Sequence, residues 1–293
     1  ILFPKILNKV LFLNKLNFVF GRKVERWNIA YSNNNDFQMS FSNFKEINNL
    51  KNNFFADPFI FKKDNLNIIF VENFDYLENK GCISALSIND NGYKYLGNVL
   101  KESFHLSFPF IFEWNKEIFM VPETHHKKEI RLYKCENFPM KWGLHKVIMK
   151  NVNAADTMIF RKENNWFMLT NICSAGYGEH QSELHIFYNK DLFSDNWKPI
   201  KSGNPVIFDS MRARNGGFFL NQNNLYRINQ IHDKDHYGKS FGINKIECLN
   251  ENEYKESRIS NVDPSFKKNI ISTHHFNADE NIAVVDFCKI ERI

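Results

Sequence analysis

The acids of this chain recur at matching places. Asp57, Glu72, Glu123 and Asp156 each sit at the start or end of a similar apolar block, far apart in sequence. Carboxylates brought together and partly buried can hold different protonation states near neutral pH. One carboxyl can then give a proton while another accepts one, which is general acid–base chemistry. Cations fall at the corresponding points of later blocks: Arg212 and Arg214 flank Ala213, Arg227 follows, and His274 and His275 are adjacent. Paired guanidinium groups suit a phosphate or carboxylate. In an extended strand only one of two neighbouring histidines faces a common centre. His105 and Asn171 complete the polar set. Plainer readings stay open beside these. An Asp before Pro, as at Asp57, is a common turn former. The arginines would equally pair with Asp57 or Asp156 in a structural network. His125 and His126, beside Lys127 and Lys128, read as a hairpin tip.

The blocks that carry these residues are FFADPFIFKKDNLNIIFVEN (54–73), LSFPFIFEWNKEIFMVPET (106–124), AADTMIFRKENNWFMLTN (154–171) and ARNGGFFLNQNNLYRINQ (213–230), with a fainter copy, STHHFNADENIAVVDF (272–287). Each has a polar or Pro-containing lead, an apolar strand, a charged or Asn-rich turn and a second apolar strand. That is one β-hairpin, repeated at the interval of about 50 to 60 residues expected of propeller blades. Between them lie GCISALSINDNGYKYLG (81–97), IRLYKCENFPMKW (130–142), LHIFYNKDLFSDNW (184–197) and FGINKIECLNENEY (241–254), each an alternating strand, a turn and an aromatic opening a further strand. Two hairpins per unit make a four-stranded blade. WNIAYSNNNDFQMSF (27–41) is a second half without a first, and the segment after Ser272 is a first half without a second. Joined, they complete a fifth blade and leave no open edge. The expected fold is therefore all-β, a five-bladed propeller over 27–293 closed by its N- and C-terminal strands. The leads and hairpin ends then converge at one mouth of the central channel.

Composition fits one such domain. A length of 293 residues needs no second core, and 30 Phe suit the wedge-shaped gaps between blades. The formal charge of +5 is spread among acids, with no dense basic run interleaved with aromatics, which argues against nucleic acid as a partner. Cysteines 82, 135, 173, 248 and 288 show no metal-ligand spacing and read as buried free thiols of a reducing compartment. Residues 1–26 stand apart. ILFPKILNKVLFLNKLNFVF has no acid, is interrupted by Lys5, Lys9 and Lys15, and offers neither a bilayer-spanning run nor a small-residue cleavage site. It reads as a basic amphipathic arm for packing or linkage, with contact to an anionic membrane surface as the alternative. The expected location is cytoplasmic, at the inner face of a membrane if the arm docks there. No cofactor and no metal ligand set is implied, and a divalent ion in the channel is left open. The first residue is Ile, which leaves room for a longer product with a partner domain.

Taken in order, ADPF, ESFHLSFPFIFEW, PET, LYKCENFPMKW, DTMIF, ARNGG, LYR and a late HH form a specific set. The set resembles the N-terminal propeller of the plant glucosamine inositolphosphorylceramide transferase family. It is also similar to bacterial homologues found with polysaccharide-synthesis genes, some joined to formyltransferase-like domains. The resemblance spans roughly 27–287. It implies a fold akin to the five-bladed glycosidase clan of arabinanases, xylosidases and invertase-like enzymes. By position it implies Asp57 and Asp156 as the clan's two aspartates and Glu123 as the general acid, with Glu72 in reserve. Glu72, His105, Asn171, Arg212, Arg214, Arg227, His274 and His275 are then the residues around the substrate. The plant proteins' separate glycosyltransferase domain has no counterpart here, so a glycosyltransferase or formyltransferase domain is an expected partner.

The leading expectation is a carbohydrate-active enzyme of cell-surface glycan or glycolipid biosynthesis, acting on a sugar or sugar phosphate by transfer or hydrolysis. The rival is a non-catalytic propeller that holds a glycan or a partner enzyme; acids locked in arginine pairs would favour it. A bare scaffold has no reason to gather acids at a channel mouth.

Overall fold

The computed structural model describes residues 23–33, 41–175, 180–233 and 236–292. The proposed arm through residue 22 lies outside the described residues. Its last four residues do not belong to an arm, because the first strand begins at Lys23, not at Trp27.

The described residues contain no α-helix and are organised almost wholly as antiparallel strands. Strand β1 (Lys23–Ser32) pairs with the short β2 (Lys45–Ile47). The chain then lays down β3 (Asn53–Lys63), β4 (Leu66–Asp75), β5 (Lys80–Asn89) and β6 (Gly92–Leu100) as one four-stranded meander. A second follows from β7 (Ser107–Trp114), β8 (Glu117–Glu123), β9 (Glu129–Asn137) and β10 (Lys141–Lys150). The third has β11 (Ala154–Lys162), β12 (Asn165–Ile172) and β13 (Glu183–Asn189), with the short β14 (Lys198–Pro199) and β15 (Ile207–Phe208) both on β13. The fourth has β16 (Asn215–Asn221), β17 (Asn224–Asp233), β18 (His236–Leu249) and β19 (Tyr254–Val262). Last come β20 (Ile270–Ser272), β21 (Phe276–Ala278) and β22 (Ala283–Arg292). β22 pairs along its length with β1, from Lys23↔Arg292 to Ser32↔Ala283. The N-terminal strand therefore completes the C-terminal hairpin, the join read from the unpaired halves of the repeat. One parallel contact, Phe219↔Ala278, links β16 to β21 and merges the last two groups into a nine-stranded sheet.

The period-2 apolar pattern of these strands buries side chains between the sheets. Phe59, Phe108, Phe110, Phe119 and Phe167 fill one such layer, and Phe41, Phe241, Phe276 and Phe287 another. Flat rings interdigitate well there, each burying about 150–250 Å². Among the described residues, 14 Phe are buried in this way.

One irregularity positions the site. The first hairpin of each meander breaks register at the same point, between Ala56 and Phe59, Ser107 and Phe110, Ala155 and Met158, and Asn215 and Phe218. A β-bulge of this kind re-aims a side chain. In the first three copies the residue after the break has a left-handed backbone: Asp57 at φ 48°, Phe108 at 46° and Asp156 at 49°. Such a conformation costs a non-glycine residue of order 1–3 kcal/mol and persists only where its surroundings enforce it. In the fourth copy the place is taken by Gly216 and Gly217. A Cβ on either would strike the backbone oxygen of His274 or Phe276, so the glycines let β16 pass against β21.

Candidate active site

Two of the bulge residues, Asp57 and Asp156, line one cavity of about 230 Å³, while Phe108 packs into the core. Asp57, Glu72, Glu123 and Asp156 all line it, together with His105, Arg214 and His274. Trp27, Phe54, Phe74 and Tyr237 add aromatic walls. The aspartates come from the bulges, and the glutamates from the strands opposite: Glu72 pairs with Ala56, and Glu123 with Ser107. One repeated backbone device thus supplies all four acids.

Asp57 is buried and held on several sides. Its Oδ2 accepts the Phe108 backbone N–H at 3.2 Å, and its Oδ1 lies 3.6 Å from His274 Nε2. Burial pushes its carboxyl up to about 6; Asp286 and Glu123 add to this, against the pull of His274 and Arg214. Asp156 has a different partner. Arg214 donates from Nε to its Oδ2 at 2.7 Å, and Gln230 donates to the same oxygen at 3.2 Å. Burial pushes Asp156 up to about 7, against Arg214 and with the help of Glu123 and Asp57.

The two glutamates diverge further. Burial raises Glu72 well above the carboxylate range, and the nearby charges of Asp57, Glu123, Asp286 and Asp156 raise it further. His105 lies beside it, with Nε2 3.4 Å from Oε1, but burial lowers the His105 pKa and keeps that ring neutral. The Gly81 backbone N–H donates to His105 Nδ1 at 3.0 Å, so the neutral ring carries its proton on the nitrogen facing Glu72. Burial also works to raise Glu123, yet the outcome is reversed. His125 Nδ1 sits 2.6 Å from Oε1, and its hydrogen bond and charge, with Arg214 and His180 behind, hold Glu123 down to about 2. His125 is raised by the same bond. An acid held ionised cannot serve as a proton donor. The expected general acid, Glu123, is thus held toward its charged form by His125, while burial holds Glu72, the reserve, toward its neutral form.

Four other sequence candidates lie outside the cavity. Arg212 points outward to Glu256 at 3.7 Å and borders a separate surface cavity with Phe208 and Asp209. Arg227 is fully buried and bonds Glu256 through Nε and Nη2, each at 2.7 Å, and the Arg212 and Ala213 carbonyls. Asn171 is buried on the hairpin's framework, donating to the Ala213 and Glu183 carbonyls and accepting the Asn215 N–H. His275 is buried edge-on between Phe59 and Phe108, with ring centroids 4.6 and 5.4 Å away. Adjacent His274 and His275 face opposite ways, and Arg212 and Arg214, two residues apart, part because both lie in the turn before β16. His125 lies at the expected hairpin turn but takes a part that the sequence did not suggest. It opens a 3-10 turn, His125–Lys127, between β8 and β9 and is the partner of Glu123.

Several residues of the site escaped the sequence reading. Asp286, wholly buried, accepts the His274 and His275 backbone N–H groups at 3.0 and 2.9 Å, and its Oδ2 lies 2.6 Å from His274 Nδ1. Burial opposes a charge on His274, but Asp286 outweighs it and raises the imidazole. The signal was an acid inside the apolar run AVVDF, because a buried carboxylate needs a partner. Trp27 packs on His274 at 4.1 Å, and Tyr237 stands under Arg214 at 5.2 Å. Among the described residues, Asp57, His274 and Asp286 form the one group whose donor atoms lie close enough to hold a metal ion, all within 4.8 Å. His274 stands between the two acids, 2.6 Å from Asp286 and 3.6 Å from Asp57.

Residues 23–285 match the family described as glucosamine inositolphosphorylceramide transferase 1, N-terminal. A relative from Arabidopsis thaliana, glucosamine inositolphosphorylceramide transferase 1, is 34% identical over 242 residues, covering 79% of this chain and 31% of the relative. The chain thus spans about a third of the length of the curated relatives it matches. Among solved structures, the catalytic domain of a GH62 α-L-arabinofuranosidase from Coprinopsis cinerea shares the fold. Its TM-score is 0.56 at 8% identity, covering 91% of this chain and 97% of that one. A family 117 glycoside hydrolase from Zobellia galactanivorans does likewise, with TM-score 0.56, 9% identity, and 90% and 91% coverage.

Proposed function

The chain belongs to the glucosamine inositolphosphorylceramide transferase 1 N-terminal family, and from that premise we propose a carbohydrate-active enzyme of cell-surface glycan or glycolipid biosynthesis. Its fold is a five-bladed propeller in which the five groups of strands are the blades and β1 and β2 complete the last. The reaction breaks or transfers a glycosidic or sugar-phosphate bond at the shared cavity.

The observation that carries this reading is the convergence of Asp57, Glu72, Glu123 and Asp156 on a single cavity, where His125 is bonded to Glu123 and burial raises Glu72. Glycosidic chemistry requires two carboxyls of unlike protonation. Glu72 gives its proton to the departing oxygen. Asp57, with a pKa of about 6, takes the proton of the attacking hydroxyl or water, since a base works best when its pKa is near the operating pH. Glu123, ionised beside His125, stabilises the positive charge that develops on the anomeric carbon. Asp156 and Arg214 orient sugar hydroxyls, and Trp27 and Tyr237 offer ring faces to the sugar. One proton leaves Glu72 and one arrives at Asp57, so the site stays in balance.

A second reading, a non-catalytic glycan-binding module of a larger transferase system, is favoured by the arginine pair at Asp156. Turnover of nucleotide sugars, sugar phosphates and oligosaccharides by the wild type and by Glu72→Gln separates the two, with thermal shift reporting binding. The enzyme reading expects binding by both proteins and turnover by the wild type alone. Binding without turnover by the wild type makes the module the answer. Absence of any sugar binding contradicts both.

A further inference from the structure

We propose that the rim formed by His125, His126, Lys127 and His180 is a subsite for a phosphate group, so that the ligand of the cavity is a sugar bearing phosphate. This rests on the reading of the adjoining cavity as a sugar site.

The rim is assembled from two connections. His125, His126 and Lys127 form the turn between β8 and β9, and His180 lies in the connection leading to β13. Their rings gather: His125 and His126 have centroids 4.3 Å apart, His125 and His180 5.5 Å, and His126 lies 5.9 Å from His105 at the cavity edge. Among the described residues, His125 and His180 each use one ring nitrogen in a hydrogen bond, which leaves the other to a ligand. His125 uses Nδ1 on Glu123, and His180 uses Nε2 on Asn153 Oδ1 at 3.0 Å. His126 is exposed. Lys127 rests over the Phe104 ring at 5.2 Å, while Arg131 on the same ring is tied to Glu129 and Glu102.

The site is thereby polarised. Glu72, Glu123 and Asp156 line the cavity, and the imidazoles and Lys127 stand beyond them. A ligand with a neutral ring on the acids and an anion at the rim matches that arrangement. Arg214, the charged group expected to receive an anion, is occupied by Asp156. A metal ion fits the rim poorly, because its donor atoms do not converge as those of Asp57, His274 and Asp286 do.

The rim also predicts a proton linkage. Burial lowers both His126 and His180, helped by the charge of His125 at His126 and of Arg214 and His125 at His180. Glu123 pulls the other way without reversing the shift, so both are neutral at pH 7. Neutral His180, which donates to Asn153, presents a lone pair at Nδ1 and must gain a proton to bind an anion. Phosphate binding favours the protonated rings, and affinity therefore rises as pH falls toward about 6.

The test is titration of the full chain, wild type, His126→Ala and His180→Ala, at about pH 6 and pH 8. Inorganic phosphate is followed by phosphorus NMR. Glucose 1-phosphate and N-acetylglucosamine 1-phosphate are compared with the unphosphorylated sugars by calorimetry. Phosphate-bearing ligands should bind more tightly at the lower pH, and each variant should weaken them about tenfold, the loss of one hydrogen bond to a charged group. Melting of the unliganded variants should match the wild type. Phosphatidylglycerol vesicles identify the source of the phosphate: binding lost in the same variants assigns it to a lipid headgroup. The inference is overturned if inorganic phosphate leaves no pH-dependent signal, or if both variants bind phosphorylated ligands as the wild type does. Binding of plain sugars with no gain from phosphate sinks this inference alone. Absence of all sugar binding sinks the cavity reading as well.

Discussion

Glu72 and Glu123 occupy the same place in two consecutive repeats and differ in their histidines. Each sits on the second strand of a hairpin, opposite the residue before a bulge, and each is buried, at 8% and 7% exposure. Burial alone would raise both carboxyls. His105 has one nitrogen committed to the Gly81 N–H and stays neutral, so Glu72 keeps its proton. His125 is bonded directly to Glu123 and takes the proton, so Glu123 stays ionised. The repeat places the acids, and the loops decide which of them is an acid. The bulge residues tell the same story. Asp57, Phe108 and Asp156 share one backbone conformation, yet one lies against the His274–Asp286 pair, one is a core ring, and one is tied to arginine.

The contrast between the glutamates can be broken by substitution. The largest effect is expected from Glu72→Gln, which should lower turnover by about 10²–10⁴-fold, the usual worth of general acid catalysis, with KM little changed. Steady-state kinetics on whichever sugar donor is turned over measures it. Next is Asp156→Asn, which leaves the buried Arg214 without its counter-charge and should cost about 3–5 kcal/mol in urea unfolding. The loss of fold makes it a poorer test of chemistry than Glu72→Gln. Replacing His125 by Asn should sharpen the comparison by removing its cause. Glu123 then climbs from about 2 into the range Glu72 occupies, read from its side-chain carbon shift by NMR.

The smallest effect is one of stability. The folded pKa of Glu72 lies above its ordinary value, so its contribution favours the fold at low pH and is lost as pH rises through the folded value. Gln keeps the neutral form at every pH. Glu72→Gln should therefore melt with the wild type near pH 4 and above it by roughly 3 °C or more near pH 8. Thermal melts across that range check the sign.

Much of this was legible before any coordinates, because the repeat is written in residue order. ADPF, LSFP and AADT mark the leads of three hairpins, and acids mark the hairpin ends, although the bulges within the leads were not legible. The facing of single residues was not. A one-residue shift turns a side chain to the other face, which separates His274 from His275, while Arg212 and Arg214 lie in the turn before β16, outside any such alternation. Trp27 and Tyr237 reach the cavity through pairings and turns that the repeat does not describe. Protonation was least legible of all. It depends on which nitrogen of His105 the Gly81 N–H occupies, and on a turn that brings His125 back onto Glu123.

The most direct test of the account is the pair of glutamate titrations themselves. Side-chain carbon shifts of Glu72 and Glu123, assigned through Glu72→Gln and Glu123→Gln, are followed by NMR from about pH 2 to pH 9. The account predicts that Glu72 keeps its proton well above the ordinary carboxylate range while Glu123 loses its own near 2. Two midpoints together in the ordinary range would contradict it, and the cavity would then hold no acid and base at neutral pH.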